Sequence, residues 1–430
     1  MSKRLFSLIG LLTVTSLLLA ACGAAATATQ PPAEEEATSA PPAAGGLMNG
    51  MDQAALEVAG YVVYAPGEPI RIGISSGLTG PIPDLGADTA NGALVAFDDL
   101  NAAGGLEGHL YESDLQDGAC DGDQGTIVAN GFVADPSIVA VQGGLCTGET
   151  FGLREVLEPA RIPLVSASST FPGVTAPEWT VMNRTPLPDT LQAEVDAAYI
   201  YNDLGITSIA LIHDSSEYGL GLAELVSAAF EAVGGTVTSI NGGQVGDTDW
   251  RLLLGPIAAE APGLIFYAGY ATEAGLIASQ KNEVGLADAV FMSGDGSLTQ
   301  QFIDAAGAAS EGVYVSTGVG DLNPDLAADF DAKYEAKFGK APDGPYHYHA
   351  YDAIMMIAAA IEQVAQTDEG GEGYLIIERE ALITAIRATS AFPGITGTLT
   401  CTDIGDCSAG GIAIYVVQDG AFVQVSGFGL

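Results

Sequence analysis

An α/β fold of two doubly wound lobes follows from three observations. Short apolar strands alternate with amphipathic helices, the rhythm restarts near Ser208, and the stretch that carries it, from residue 69 to Leu430, is too long for one hydrophobic core. Repeating βα units give parallel sheets covered by helices on both faces. Ligands in such sheets bind beyond the carboxyl ends of the strands, and two lobes can turn those ends toward a shared cleft. A hydrophobic content of 48% supplies two cores.

The chain opens with Lys3 and Arg4, an uncharged apolar run over residues 5–19, and Leu19-Ala20-Ala21-Cys22. This is the layout of a secretory signal. Its ending fits a bacterial lipobox, in which small residues precede a cysteine that is lipidated and becomes the new N-terminus. An ordinary cleaved signal with an incidental cysteine is the alternative. The run is short for a membrane-spanning helix, which needs ~20 residues. Residues 1–21 are therefore expected to be a lipoprotein signal peptide and Cys22 the lipidation site. Residues 23–46 are mostly Ala, Thr, Pro, Gly, Gln and Ser with an acidic Glu34-Glu35-Glu36 run. They offer almost nothing to bury, and a disordered tether is expected over residues 22–68.

In the first lobe, Ile70-Arg71-Ile72-Gly73-Ile74 predicts a strand, and residues 86–100 a helix with Ala90, Ala93, Leu94 and Phe97 on one face. A second strand ends near Asp114. Asp121 can cap a helix carrying Ile127, Val128, Phe132 and Val133. Val139-Ala140-Val141 predicts a third strand, followed by a helix from Glu149 and a strand over residues 163–166. The second run has strands at 208–212, 264–267, 290–292 and 313–315, with a helix over 220–233. Residues 394–425 are strand-rich, with a hairpin at Asp419-Gly420. Expected bounds are 69–188 plus 319–398 for the first lobe and 189–318 plus 399–430 for the second.

The formal charge of −41 argues against nucleic acid, whose phosphates need Lys and Arg, and against docking on anionic lipid. Solubility explains it without a ligand. After Cys22, four cysteines remain, an even set in an exported chain. The five residues between Cys401 and Cys407 suit a pair, which leaves Cys120 with Cys146. No Cys-x-x-Cys or His spacing supports zinc. Gly73-Ile74-Ser75-Ser76-Gly77 matches the G-x-S-x-G nucleophile pattern, but Gly80-Pro81 and Pro83 interrupt the helix that such an elbow requires. His347-Tyr348-His349 lacks an acidic third ligand at metal spacing. No G-x-G-x-x-G follows a strand and no Walker sequence occurs. No catalytic set, metal site or cofactor is expected.

Gly77-Leu78-Thr79-Gly80-Pro81-Ile82, Asn91-Gly92-Ala93 and Asp99-Leu100-Asn101-Ala102-Ala103-Gly104-Gly105-Leu106-Glu107-Gly108 together resemble the N-terminal signature of the leucine/isoleucine/valine-binding proteins. Asp117 through Cys120-Asp121, Gly144-Leu145-Cys146, Ile212-His213-Asp214 with Tyr218-Gly219, Gly344-Pro345-Tyr346 and Tyr351-Asp352-Ala353 continue it in order. The resemblance spans residues 69 to about 418. It implies the type I periplasmic-binding-protein fold: two Rossmann-like lobes, three crossovers, and an amino acid bound in the cleft as the lobes close. It also implies the Cys120–Cys146 bridge.

By the same resemblance, Thr147 occupies the hydroxyl position after Cys146. Ser168, Ser169 and Thr170 form the turn that binds both ligand ends, and Tyr218, Tyr270 and Tyr346 line the cleft. Asp295 stands where the family's ammonium-binding carboxylate stands. Such a set suits a zwitterion: hydroxyls and helix-start N–H groups for its carboxylate, a carboxylate for its ammonium, rings for its side chain. Leu85 replaces a pocket tryptophan, Asp295 the usual glutamate, and Ala271 a common second tyrosine; His347 and Tyr348 are unusual. The side-chain pocket is therefore expected to be remodelled.

The expected function is a monomeric extracytoplasmic lipoprotein, held to the membrane by its lipid alone, that captures an amino acid, branched-chain or related, and delivers it to an ABC permease. It would be a binding protein and not an enzyme. Alternatives are a sensory ligand module, an amide or urea-type receptor and, remotely, an exported serine hydrolase.

Overall fold

The computed structural model describes residues 46–319 and 322–429. The expected signal peptide, Cys22 and the tether up to residue 45 lie outside the described residues. The described chain starts with helix α1 (Gln53–Val58) and strand β1 (Tyr61–Tyr64). It then runs through β2 (Ile70–Ser76), α2 (Pro83–Ala102), β3 (Tyr111–Asp117), α3 (Gly122–Ala134), β4 (Ile138–Gln142), α4 (Thr147–Ala160), β5 (Leu164–Ser166) and β6 (Met182–Arg184). The second run comprises α5 (Asp189–Ala198), β7 (Ser208–His213), α6 (Glu217–Ala232), β8 (Thr236–Gly242), α7 (Arg251–Glu260), β9 (Leu264–Ala268), α8 (Ala271–Gln280), β10 (Val290–Ser293), α9 (Gln300–Ala306) and β11 (Tyr314–Val319). The chain then follows α10 (Pro324–Phe338), α11 (His347–Val364), β12 (Gln366–Thr367), β13 (Leu375–Glu378) and α12 (Arg379–Arg387). It closes with β14 (Phe392–Gly394), β15 (Gly397–Leu399), β16 (Gly411–Gln418) and β17 (Ala421–Gly429).

Two sheets organise these elements. The first has the order β3-β2-β4-β5-β6, every pair parallel. The second contains β8-β7-β9-β10-β11 in parallel, extended at the β11 edge by antiparallel β16 and β17. Each parallel set reads 2-1-3-4-5 in its own chain order. The order therefore reverses between β2 and β4 in one lobe and between β7 and β9 in the other, and such a switch point is where doubly wound sheets bind ligands.

Both sheets bury alternate residues of their strands against helices. In the first lobe Ile70, Ile72 and Ile74 pack with Phe97 of α2 and with Ile354, Ile357 and Ile361 of α11. Helices α2 and α11 approach so closely at Gly92 that a Cβ there would strike the carbonyl of His347. In the second lobe Ile209, Leu211 and Phe266 face Leu222, Val226 and Phe230 of α6. On the opposite face Ala210, Ile212 and Ile265 meet Trp250, Leu254 and Ile277.

The structure corrects four expectations. Residues 47–68 are not tether: β1 pairs with β13 from Tyr61↔Glu378 to Tyr64↔Leu375, and Met48, Leu56 and Val63 pack on Ile376. The apolar residues of that stretch find a partner more than 300 positions away, which local composition cannot reveal. The first lobe also keeps residues 399–410, expected in the second. Leu399 pairs with Phe392, Asp406 bonds Arg184, and Cys407 lies in the first-lobe core. Helix α2 begins at Pro83, so Leu85 lies in its first turn and not ahead of it. Helix α4 begins at Thr147 and not at Glu149. Elsewhere the local signals hold: Asp121 accepts from Gln124 N at 2.8 Å as the cap of α3, and Asp419 and Gly420, both at positive φ, turn β16 into β17. Cys120–Cys146 and Cys401–Cys407 are bridged.

Candidate functional site

The loops that leave the switch-point strands converge on one small cavity. After β2 come Ile82 and Leu85; after β4, Leu145, Cys146 and Thr147; after β7, Tyr218; after β9, Tyr270. Ser168 and Thr170 follow β5, Asp295 and Gly296 follow β10, and Tyr346 immediately precedes α11. Eight of the nine expected ligand residues thus share one wall set. The ninth, Ser169, does not line it: its hydroxyl is buried against Thr150 Oγ1 at 2.6 Å and the Gly144 carbonyl at 3.3 Å. The cavity holds about 20 Å³, room on the scale of one water and not of an amino acid. Its walls must part to admit any larger ligand.

The first-lobe side is neutral and rich in donors. Thr147 opens α4, whose first-turn N–H groups have no partner within the helix and attract anions. Ser168 donates to the Leu145 carbonyl at 2.6 Å, which ties its turn to the loop before α4. Arg184, fully buried, fixes that turn from below. Its Nη1 donates to the carbonyls of Thr170 at 2.7 Å and Phe171 at 2.8 Å, while its Nε donates to Asp406 at 2.6 Å. Glu149 accepts from Ser75 Oγ at 2.7 Å, and burial pushes its carboxyl up to about 7 against that bond. Ser75 therefore sits within a strand as a buried donor, not on the exposed turn that a nucleophile needs.

The second-lobe side is acidic. Asp295 accepts from the Tyr218 hydroxyl at 3.0 Å and from that of Tyr346. Tyr218 also accepts from Gly296 N at 3.3 Å and stacks on Tyr270, ring centroids 5.5 Å apart. Burial raises the Asp295 carboxyl above its ordinary value, opposed by bonds from Tyr346, Gln192 and Tyr218. No Arg or Lys lines the cavity.

Sequence reasoning missed the groups behind this wall. Asp189, Gln192 and Asp196 lie at i, i+3 and i+7 on the buried face of α5. Gln192 Nε2 donates to Ser316 Oγ at 2.9 Å, and Ser316 Oγ donates to Asp196 at 2.9 Å. Burial together with the Asp295 charge drives the Asp189 carboxyl upward, opposed by the Thr170 hydroxyl and the Arg184 charge. Asp196 rises for the same first reason. The signal available was the amphipathic reversal of α5, whose inward face carries acids where a helix ordinarily carries apolar residues.

This pocket at the switch points of two matched lobes gathers eight of the nine residues that the sequence resemblance names, and comparison with known proteins decides the family. The profile of the periplasmic binding protein family matches residues 69–421. The chain belongs to that family, in its leucine/isoleucine/valine-binding type I branch. A leucine-, isoleucine-, valine-, threonine- and alanine-binding protein of Pseudomonas aeruginosa is 30% identical to this binding protein over 364 residues, covering 84% of it and 94% of the relative. A leucine-specific-binding protein of Salmonella typhimurium is 31% identical over 302 residues, covering 70% and 81%. In fold, it is similar to a leucine binding protein of Thermotoga maritima, with a TM-score of 0.73, 24% identity and coverage of 83% and 98%. A branched-chain amino-acid transporter substrate-binding protein of Streptococcus pneumoniae in complex with isoleucine gives a TM-score of 0.72, 23% identity and coverage of 83% and 100%.

Proposed function

We propose that this binding protein is the extracytoplasmic receptor of an ABC importer for an aliphatic α-amino acid, held to the membrane by a lipid on Cys22. The observation that carries the reading is the polarity of the pocket. Thr147, Ser168 and Thr170 set hydroxyls and a helix start on one side, and Asp295 sets a carboxylate on the other. A zwitterion matches both ends. Its carboxylate meets donors without a competing anion, and its ammonium meets Asp295 with no Arg or Lys to displace. The rings of Tyr218, Tyr270 and Tyr346 with Leu85 form the apolar wall for a side chain.

The relatives that bind leucine, isoleucine and valine support this ligand class. Leu85 in place of a large aromatic ring leaves a softer side-chain wall, so preference within the class is this protein's own. The mechanism is closure. Walls from both lobes converge on a cavity too small for a ligand to enter as it stands, so binding proceeds by parting and re-closing, with the ligand favouring the closed arrangement. The measurement is titration calorimetry of leucine, isoleucine, valine, their amides and their deaminated acids. Leucine-class amino acids should bind, while amides and deaminated acids should bind far more weakly. Equal binding of leucine amide and leucine would overturn the zwitterion reading. For the anchor, Cys22→Ser should move the protein from the membrane fraction to the soluble extracytoplasmic fraction; unchanged retention refutes lipidation at Cys22.

A further inference from the structure

A second and larger cavity lies beside the amino-acid pocket and shares no lining residue with it. It holds about 290 Å³, near the lower end of the range for small-molecule sites. Two segments serve both cavities. The stretch after β10 gives Asp295 and Gly296 to the first and Leu298 and Thr299 to the second. The stretch into α11 gives Tyr346 to the first and Pro345, His347, Tyr348 and His349 to the second. The His-Tyr-His sequence that the amino-acid site does not use is therefore a wall of this other space.

The lining sets the chemistry of an occupant. Aromatic rings come from Tyr348, Tyr415 and Phe422, and among the described residues no Arg or Lys lines the cavity, which disfavours an anion. His347 Nδ1 is already held by Asp88 at 2.9 Å, and Asp343 accepts from Gln300 N at 3.3 Å. His349, by contrast, is buried with its Nδ1 unpartnered, and so is the hydroxyl of Thr299. Burial pushes His349 down to about 4, so its ring brings no charge to this wall near pH 7. An uncharged histidine beside apolar rings suits a small neutral molecule with an aromatic frame.

The walls also come from both lobes. Thr317 of β11, Tyr415 of β16 and Phe422 of β17 belong to the second sheet, whereas His347 and His349 belong to α11 of the first lobe. We propose that this cavity is a second small-molecule site, for a neutral aromatic ligand, whose occupation bridges the lobes and tightens amino-acid binding. The coupling is reciprocal: whatever holds the lobes together at one site favours the arrangement that the other requires.

The probe is 4-methylphenol, titrated into the whole protein with and without saturating leucine. One saturable site is expected in both conditions, about fivefold or more tighter when leucine is present. Phe422→Ala and Tyr415→Ala should each weaken the probe by about tenfold. Two ring variants guard against a fold defect in one. Absence of saturable binding in the millimolar range, displacement of the probe by leucine, or binding untouched in both ring variants would overturn the site. If leucine itself fails to bind, the amino-acid reading fails, and the probe titrations on the parent and the ring variants still decide the second site.

Discussion

The first-lobe wall of the pocket, at Thr147, Ser168 and Thr170, is braced from behind by a paired cation: Arg184 spends its donors on Asp406 and on the carbonyls of the turn. The second-lobe wall, at Tyr218, Tyr270 and Asp295, is backed by the buried acids Asp189 and Asp196, of which Asp189 feels the Arg184 charge without an ion pair and Asp196 faces no cation among the described residues. The residues that line one side carry no charge before ligand arrives; the other presents a buried carboxyl at the cavity itself, which stays protonated or waits for a positive charge. The contrast teaches where binding energy resides. A preformed neutral wall orients the ligand, while an acidic wall that is costly to ionise in the free protein gains most when an ammonium arrives.

The largest effect on stability is expected from Arg184→Met. Removing this guanidinium leaves the Thr170 and Phe171 carbonyls without their donor and Asp406 with the Thr175 hydroxyl but no cation, and should lower stability by about 3–5 kcal/mol, read as a fall in the denaturant midpoint. A loss below about 1 kcal/mol would show that the first wall is not braced in this way. Asp295→Asn acts on the other wall and should separate affinity from stability. Affinity for leucine should fall by about 2–4 kcal/mol, roughly 30- to 1,000-fold, while the ligand-free protein should be at least as stable as the parent because a buried acid disappears. Undiminished leucine affinity removes Asp295 from the ammonium site; a large loss of ligand-free stability removes the account of the acidic wall.

The pH dependence tests the acids across both lobes. Burial holds Asp214 and Asp352 up at about 6 and Glu149 at about 7. A carboxyl whose pKa is higher folded than unfolded favours the fold while protonated, and that contribution fades as pH rises from about 4 through 7. His349, held down at about 4, works the other way, favouring the fold above about 6.5 and losing that as pH falls toward 4. Between pH 8 and 5.5 the carboxyls outnumber it, so the ligand-free Tm should rise on acidification over that window. A Tm that falls there would contradict the burial of these groups. The smallest effect belongs to Thr147→Ala, which removes one neutral hydroxyl and leaves the α4 amides in place. Leucine affinity should drop by about 1 kcal/mol, roughly fivefold; a loss as large as that of Asp295→Asn would erase the difference between the walls.

Much of this was legible in the chain because it is local. The strands at 70–74, 208–212 and 264–267 have side chains that suit only a buried sheet, and Asp121 and Asp419-Gly420 carry cap and turn chemistry wherever they occur. The family resemblance placed Thr147, Ser168, Thr170 and Asp295, and the ends of parallel strands made those places reasonable. Other features depend on partners far along the chain. Residues 61–64 became a strand only because residues 375–378 offered an edge, and Arg184 became a brace only because Asp406 returns beneath the turn. Asp189 and Asp196 read as ordinary polar positions on a helix until the second lobe closed over them. Sequence periodicity determines which face of an element is apolar and which residues can cap or turn it. Which polar groups lose their water is decided by the packing of the lobes, and that loss of water gives the carboxyls of the acidic wall their chemistry.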